Sequence, residues 1–144
     1  MKKYIHYGHT KFDKDMFIKI RNDVFGIGIK PIGGLWASDI DARYGWKDWC
    51  DANCFRDCKK ENSFTFTLTD NAKVLTINSV NDLDALPKAK DRLGLWILLD
   101  YEKISEMYDV LEVNISNDYD LYFKLYGYDC DSIIVMNPDV IVEI

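Results

Sequence analysis

Long apolar runs are missing from this sequence of 144 residues: the longest, Leu93-Gly94-Leu95-Trp96-Ile97-Leu98-Leu99, has seven members, whereas a membrane-spanning helix needs about 20. No transmembrane segment is expected. Glycine and proline together number only eleven, and the chain contains no internal repeat, linker or low-complexity tract. Basic residues are in deficit, with 18 Lys and Arg against 24 Asp and Glu, a net charge of −6 and a pI near 4.8. The average surface therefore repels phosphate backbones, and non-specific nucleic-acid binding is not expected. Both familiar Gly-rich phosphate loops are absent, because Gly26-Ile27-Gly28 is followed by Lys30 and Pro31 without a Gly-Lys-Ser/Thr ending or a third spaced glycine. This excludes the P-loop and Rossmann classes. There is no Gly-x-Ser-x-Gly elbow to present a nucleophilic serine.

What is present is enough for a core. Apolar residues make up 48% of the chain and aromatics 14%, which excludes intrinsic disorder and supports one domain over residues 1–144. The start Met1-Lys2-Lys3-Tyr4-Ile5-His6 is basic but has no apolar run behind it, so no secretory signal and a reducing cytoplasmic location are expected. Cys50, Cys54 and Cys58 recur at a spacing of four, one stripe of a helix, and with Cys130 are expected to be free thiols behaving as small hydrophobes. Their spacing is not that of a zinc knuckle.

Periodicity outlines the elements. Residues 3–7 form a β-type run closed by Gly8, and Phe12, Met16, Phe17 and Ile20 have helical spacing. Five of the eleven Gly and Pro residues fall between Gly26 and Gly34, after which Leu35-Trp36-Ala37-Ser38 resumes as a strand. An amphipathic helix is predicted from Trp46 to about Lys59. Phe64–Leu68 and Val74–Ile77 alternate with period two around a turn and predict a hairpin. Short helices are predicted within 82–89, at Tyr101–Met107 and at Leu121–Leu125. Trp96–Leu99 reads as a buried run, Val110–Val113, Ile133–Met136 and Val140–Val142 as strands, the last two joined by an Asn137-Pro138-Asp139 turn. Short strands mixed irregularly with short helices predict an α+β domain with mainly antiparallel pairing.

Three places hold chemistry-bearing residues. His6 lies in an otherwise apolar strand, where a buried imidazole needs hydrogen-bond partners or a ligand that supplies them; a satisfied structural histidine is the alternative. With His9 it has no Cys or carboxylate cluster nearby, so no metal site is assigned. Trp36, Trp46 and Trp49 lie within fourteen residues and offer flat faces for stacking on a base or a cationic ring, or else build the core. Ser38 shares the strand face of Trp36. Asp129 and Asp131 flank Cys130 ahead of the apolar 133–136 run, where a carboxylate costs desolvation unless paired, as a working acid or as a turn-forming cap.

In this order, these pieces resemble the ADP-ribosyltransferase superfamily, in its diphtheria-toxin/poly(ADP-ribose)-polymerase-like class with a His-Tyr-Glu signature. Tyr4-Ile5-His6-Tyr7-Gly8 is similar to the family's first motif, Gly34-Leu35-Trp36-Ala37-Ser38 with Trp49-Cys50 to the second, and Asp131 through Asp139 to the third. The resemblance implies a split, mainly antiparallel two-sheet fold with NAD bound as substrate between the sheets. It implies that His6 holds a ribose hydroxyl, that Tyr7 and Gly8 border the nicotinamide amide, and that Trp36 and Trp49, with Ser38, enclose the ring. Asp131 would be the catalytic acid with His6. Trp36 stands where the family has Tyr, Tyr7 intervenes before Gly8, and the expected Glu is replaced by Asp131 or, one residue on, by Ser132. Neighbouring strand residues face opposite ways, so that one-residue difference decides whether an acid enters the cleft. Glu112 is a reserve acid.

Two functions follow from the resemblance. One is an enzyme that cleaves NAD and passes ADP-ribose to a macromolecular acceptor or to water. The alternative is a catalytically inactive module that binds a nucleotide or a partner protein. The chain's size and cytosolic character would suit a phage or mobile-element factor acting on host machinery in either case.

Overall fold

The computed structural model describes residues 1–25, 30–90, 92–94 and 97–144. Parts of the 26–34 glycine-rich segment and of the Leu93–Leu99 run, Trp96 among them, therefore lie outside the described residues.

Among these residues the fold is α+β. Nine strands are present: β1 (Tyr4–Tyr7), β2 (Leu35–Asp39), β3 (Ser63–Leu68), β4 (Val74–Ile77), β5 (Lys88–Lys90), β6 (Ile97–Leu99), β7 (Val110–Val113), β8 (Ser132–Val135) and β9 (Ile141–Glu143). The helices are α1 (Trp46–Asn53), α2 (Val80–Asp84), α3 (Tyr101–Met107) and α4 (Tyr119–Lys124). Seven strands form one mixed sheet in the order β4-β7-β8-β2-β1-β3-β9, and β5 pairs with β6 apart from it. Only the β4–β7 pair is parallel among the described strands. No helix of the described residues is long and apolar enough to cross a membrane.

Three expected elements differ, the first being the helix predicted from Trp46 to about Lys59, which ends at Asn53 because Cys54 turns left-handed. The 12–20 segment holds a single 3-10 turn, Lys14–Met16, because the Asp13 carboxylate caps Asp15 N and the chain then leaves toward an isolated bridge between Arg21 and Ile32. Ile20 alone of its predicted apolar face is fully buried. β3 and β4 form no hairpin: β3 lies between β1 and β9 while β4 closes the opposite edge beside β7. Alternation reports a half-buried strand but not its neighbour.

The sheet buries apolar side chains on both faces. Ile134 joins Leu111, Val113, Tyr101, Ile104, Leu121 and Tyr128 on one face, and its neighbours Ile133 and Val135 join Tyr4, Phe64 and Phe66 on the other. A strand covered on both sides reads as a continuous hydrophobic run, which is how 133–136 appears in the sequence.

The feature that positions the site is the handover at β2. Its first three residues pair with β8, from Leu35–Val135 to Ala37–Ile133, and its last two pair with β1, as Ser38–Ile5 and Asp39–Tyr4. Continuing the β1 register would join His6 to Ala37 and Tyr7 to Trp36, but those pairs do not form. The strands splay there, and a wedge opens between them. Gly34 leads into β2 at φ +72° against β8; a Cβ there would lie 2.6 Å from Ile134 Cγ2, so only glycine allows this approach.

Candidate functional site

The wedge forms a cleft of about 210 Å³ lined by Ile5, His6, Tyr7, Lys30, Trp36, Ala37, Trp46, Arg56 and Ser132. Residues from both sheet faces meet in it because the gap passes between strands. This volume is below the roughly 300–1,000 Å³ of common ligand clefts, so it suits one ring with its immediate substituents.

His6 repairs the break in the ladder. Its Nδ1 lies 2.7 Å from the Trp36 carbonyl oxygen, which only accepts, so the neutral ring carries its proton on Nδ1. The Nε2 lone pair is then free to accept from His9 Nδ1 at 3.0 Å, and the two rings stack with centroids 5.2 Å apart. Burial pushes the His6 pKa below its ordinary value; the Trp36 carbonyl acts against this shift and His9 adds to it. Phe64 packs against the ring at 5.1 Å. Both ring nitrogens are thus engaged within the chain.

The aromatic wall comes from β2 and α1. Trp36 is half-buried against Tyr128, with centroids 5.6 Å apart. Ser38, on the same strand face, caps α1: its Oγ accepts from Trp46 N at 2.8 Å and donates to the Asp131 carbonyl at 3.2 Å. Held there, the first turn presents Trp46 to the cleft, and Trp49 stacks behind it at 5.4 Å. The helix ends at Cys54, in the left-handed region at φ 49°, which carries Phe55 back against Trp46 and Trp49. Arg56 follows with Cζ 5.3 Å from the Phe55 ring centroid. Across the cleft Lys30 Nζ lies 5.5 Å from the Trp36 ring centroid.

Of the residues singled out in the sequence, His6, Tyr7, Trp36 and Trp46 meet in this cleft. Trp49 stands one layer behind Trp46, and the Ser38 hydroxyl is spent on the helix cap. Gly8, at φ +119°, lies outside the lining, and its N–H is taken by the Asn62 carbonyl at 2.9 Å. Ser132 lines the cleft and Asp131 does not. The Asp131 carboxylate accepts from Ser116 N at 2.9 Å, Ser116 Oγ at 2.6 Å and Tyr44 N at 3.3 Å, and the side chain is buried. It ties the loop before α1 and the turn after β7 to the start of β8.

Glu112 is also buried, bound by Lys2 Nζ at 2.8 Å and Asn114 Nδ2 at 3.2 Å. With Asp39, Asp41 and Asp131 it borders a separate polar recess where β2 parts from β8. Among the described residues no group of three or more His, Cys, Asp or Glu is placed to hold a metal ion.

Lys30, Arg56 and the orientation of Trp46 were missed at the level of sequence. The two cations sit in irregular segments with no periodic signal, and Trp46 and Trp49 are equivalent on a helical repeat until the Ser38 cap fixes the rotation of α1. Compared with known proteins, the chain matches no family model, no curated protein and no solved structure.

Proposed function

We propose that this chain is a nucleotide-binding module on an ADP-ribosyltransferase-like split sheet, that it holds NAD in the wedge beside β1, and that it does not transfer ADP-ribose. One observation carries this reading: the cleft that gathers His6, Tyr7, Trp36 and Trp46 has Ser132, not a carboxylate, at the start of β8. The indole faces suit a nicotinamide or adenine ring, and the cleft volume suits that ring with part of its ribose. Cleavage of the nicotinamide–ribose bond builds positive charge on the sugar, which a carboxylate stabilises and cations oppose. The charged residues lining this cleft are Lys30 and Arg56. Asp131, the acid the resemblance would use, is committed to Ser116 and Tyr44. Binding without turnover fits these groups better than catalysis does.

The test is to incubate the protein with NAD while following both its melting temperature and the release of free nicotinamide. The expected result is a melting temperature that rises with NAD concentration, as mass action requires for a ligand of the native state, with the NAD recovered intact. Nicotinamide release that a Trp36→Ala variant abolishes would overturn the non-catalytic reading. A melting temperature indifferent to millimolar NAD would overturn the nucleotide site.

A further inference from the structure

The charge lining the wedge runs against that of the chain. A protein with 24 acids, 18 bases and a net charge of −6 brings two cations, Lys30 and Arg56, and no carboxylate to this cleft. Lys30 has one part-exposed ion pair and Arg56 has none among the described residues. Lys30 Nζ reaches Asp129 Oδ2 only at 3.5 Å, with side chains 39% and 31% exposed, a geometry worth little in water. The Arg56 guanidinium packs over Phe55 and its side chain is exposed. A guanidinium held over a ring face and free of ion pairs keeps N–H donors available, and that fork matches two oxygens of a phosphate.

The positions of the two groups matter as much as their sign. Lys30 lies over Trp36, and Arg56 lies over Phe55, whose ring packs edge-on against Trp46, so both cations line the cleft near the indoles that would hold the ring. Because the cleft takes about 210 Å³, the rest of a nucleotide must leave it at the rim, where these cations are. We propose that Lys30 and Arg56 form a phosphate grip that makes the site selective for phosphorylated nucleotides over the corresponding uncharged nucleosides. This rests on the reading of the wedge as a nucleotide site. It adds which part of the ligand provides affinity: the ring sets the pose and the phosphate, held by charge-assisted hydrogen bonds, sets the strength.

Calorimetric titration of the intact protein with NAD, ADP-ribose, AMP and adenosine tests this, with each titration repeated at low and high salt. NAD and ADP-ribose are expected to bind at least about tenfold more tightly than adenosine, and Lys30→Gln and Arg56→Gln each to weaken NAD by about tenfold and adenosine much less. The advantage of the phosphorylated ligands should shrink as salt rises. Equal affinities for AMP and adenosine, or variants that bind NAD like the parent, would overturn the grip and leave the nucleotide site standing. Failure of all four ligands to bind would remove the nucleotide site and the grip with it. A single-stranded oligonucleotide bound more tightly than NAD would make the occupant a nucleic acid, which also overturns the proposal.

Discussion

The carbonyl oxygen of Trp36 receives the Nδ1–H of His6 at 2.7 Å, where an intact ladder would supply a backbone N–H from β1. A side chain of β1 closes the polar account of β2 at the point where the two strands part. His6→Ala is expected to leave that carbonyl without its partner and to lower folding stability by about 1–3 kcal/mol, the range for an orphaned buried acceptor. Urea denaturation measures it. An unchanged midpoint would show that water replaces the imidazole and that His6 is not needed to hold the wedge.

The same histidine sets a pH dependence. Burial, assisted by His9 and resisted by the Trp36 carbonyl, holds the folded His6 pKa below the 6.5 of an ordinary histidine. The unfolded chain therefore takes up this proton first as pH falls. Stability from neutral His6 is complete above about pH 6.5 and is lost as the pH drops toward the folded value. Lys30, Arg56 and Tyr7 in the cleft and His9 beside the ring are charged or titratable groups that share its surroundings. The melting temperature should be flat from pH 8 to 7 and decline between 6.5 and 5.5, with a shallower decline in His6→Phe. An equal decline in that variant would assign the effect to other groups.

Asp131 and Ser132 are neighbours with separate duties, and substitution should separate them. Asp131→Ala removes the acceptor of three hydrogen bonds from two other segments and is expected to cost about 3 kcal/mol, as loss of a buried charged hub does. Ser132 Oγ donates to the Cys130 carbonyl at 3.0 Å, so Ser132→Ala should cost about 1 kcal/mol. Guanidinium denaturation of the two variants decides. Similar losses from both, or a larger one from Ser132→Ala, would contradict the division of roles.

How far the sequence reached follows from what each signal measures. Tyr101–Met107 and Val110–Val113 have the bounds their periodicity predicts, because each buries its own apolar face in the common core. Strand partners were not legible: the alternation at 64–68 and 74–77 says that each strand is half-covered, yet non-local pairing places one between β1 and β9 and the other at the far edge beside β7. In the site, His6 was legible as a polar residue in an apolar strand, and Trp36 as one of three tryptophans within fourteen residues. Asp131 drew notice for the same reason as His6, a carboxylate at a buried strand, but burial is met equally by structural hydrogen bonds, and only the one-residue register against β2 distinguishes the two. Lys30 and Arg56 drew none, since cations in loops are ordinary until folding brings them to one cleft.

The cysteines give a chemical reading of the segment beside that cleft. The helical stripe expected from Cys50, Cys54 and Cys58 breaks at Cys54, where the backbone turns left-handed, so Cys54 is exposed while the chain returns Cys58 to the buried Cys50. Burial, with the hydrogen bond that the Cys58 thiol gives to Cys50, pushes Cys58 up to about 12, and burial raises Cys130 to about 11. Since the thiolate is the reactive species, these two should react at neutral pH more than about 100-fold slower than an ordinary thiol near 8.5. Cys50, fully buried, is shielded by lack of access. A disulfide-exchange reagent should therefore titrate one fast thiol in the native protein and all four cysteines in denaturant, with Cys54→Ser abolishing the fast phase. If the native protein instead shows a second fast thiol, and Cys58→Ser removes it, then the 54–58 segment opens in solution and the Phe55–Trp49 packing that backs the cleft opens with it.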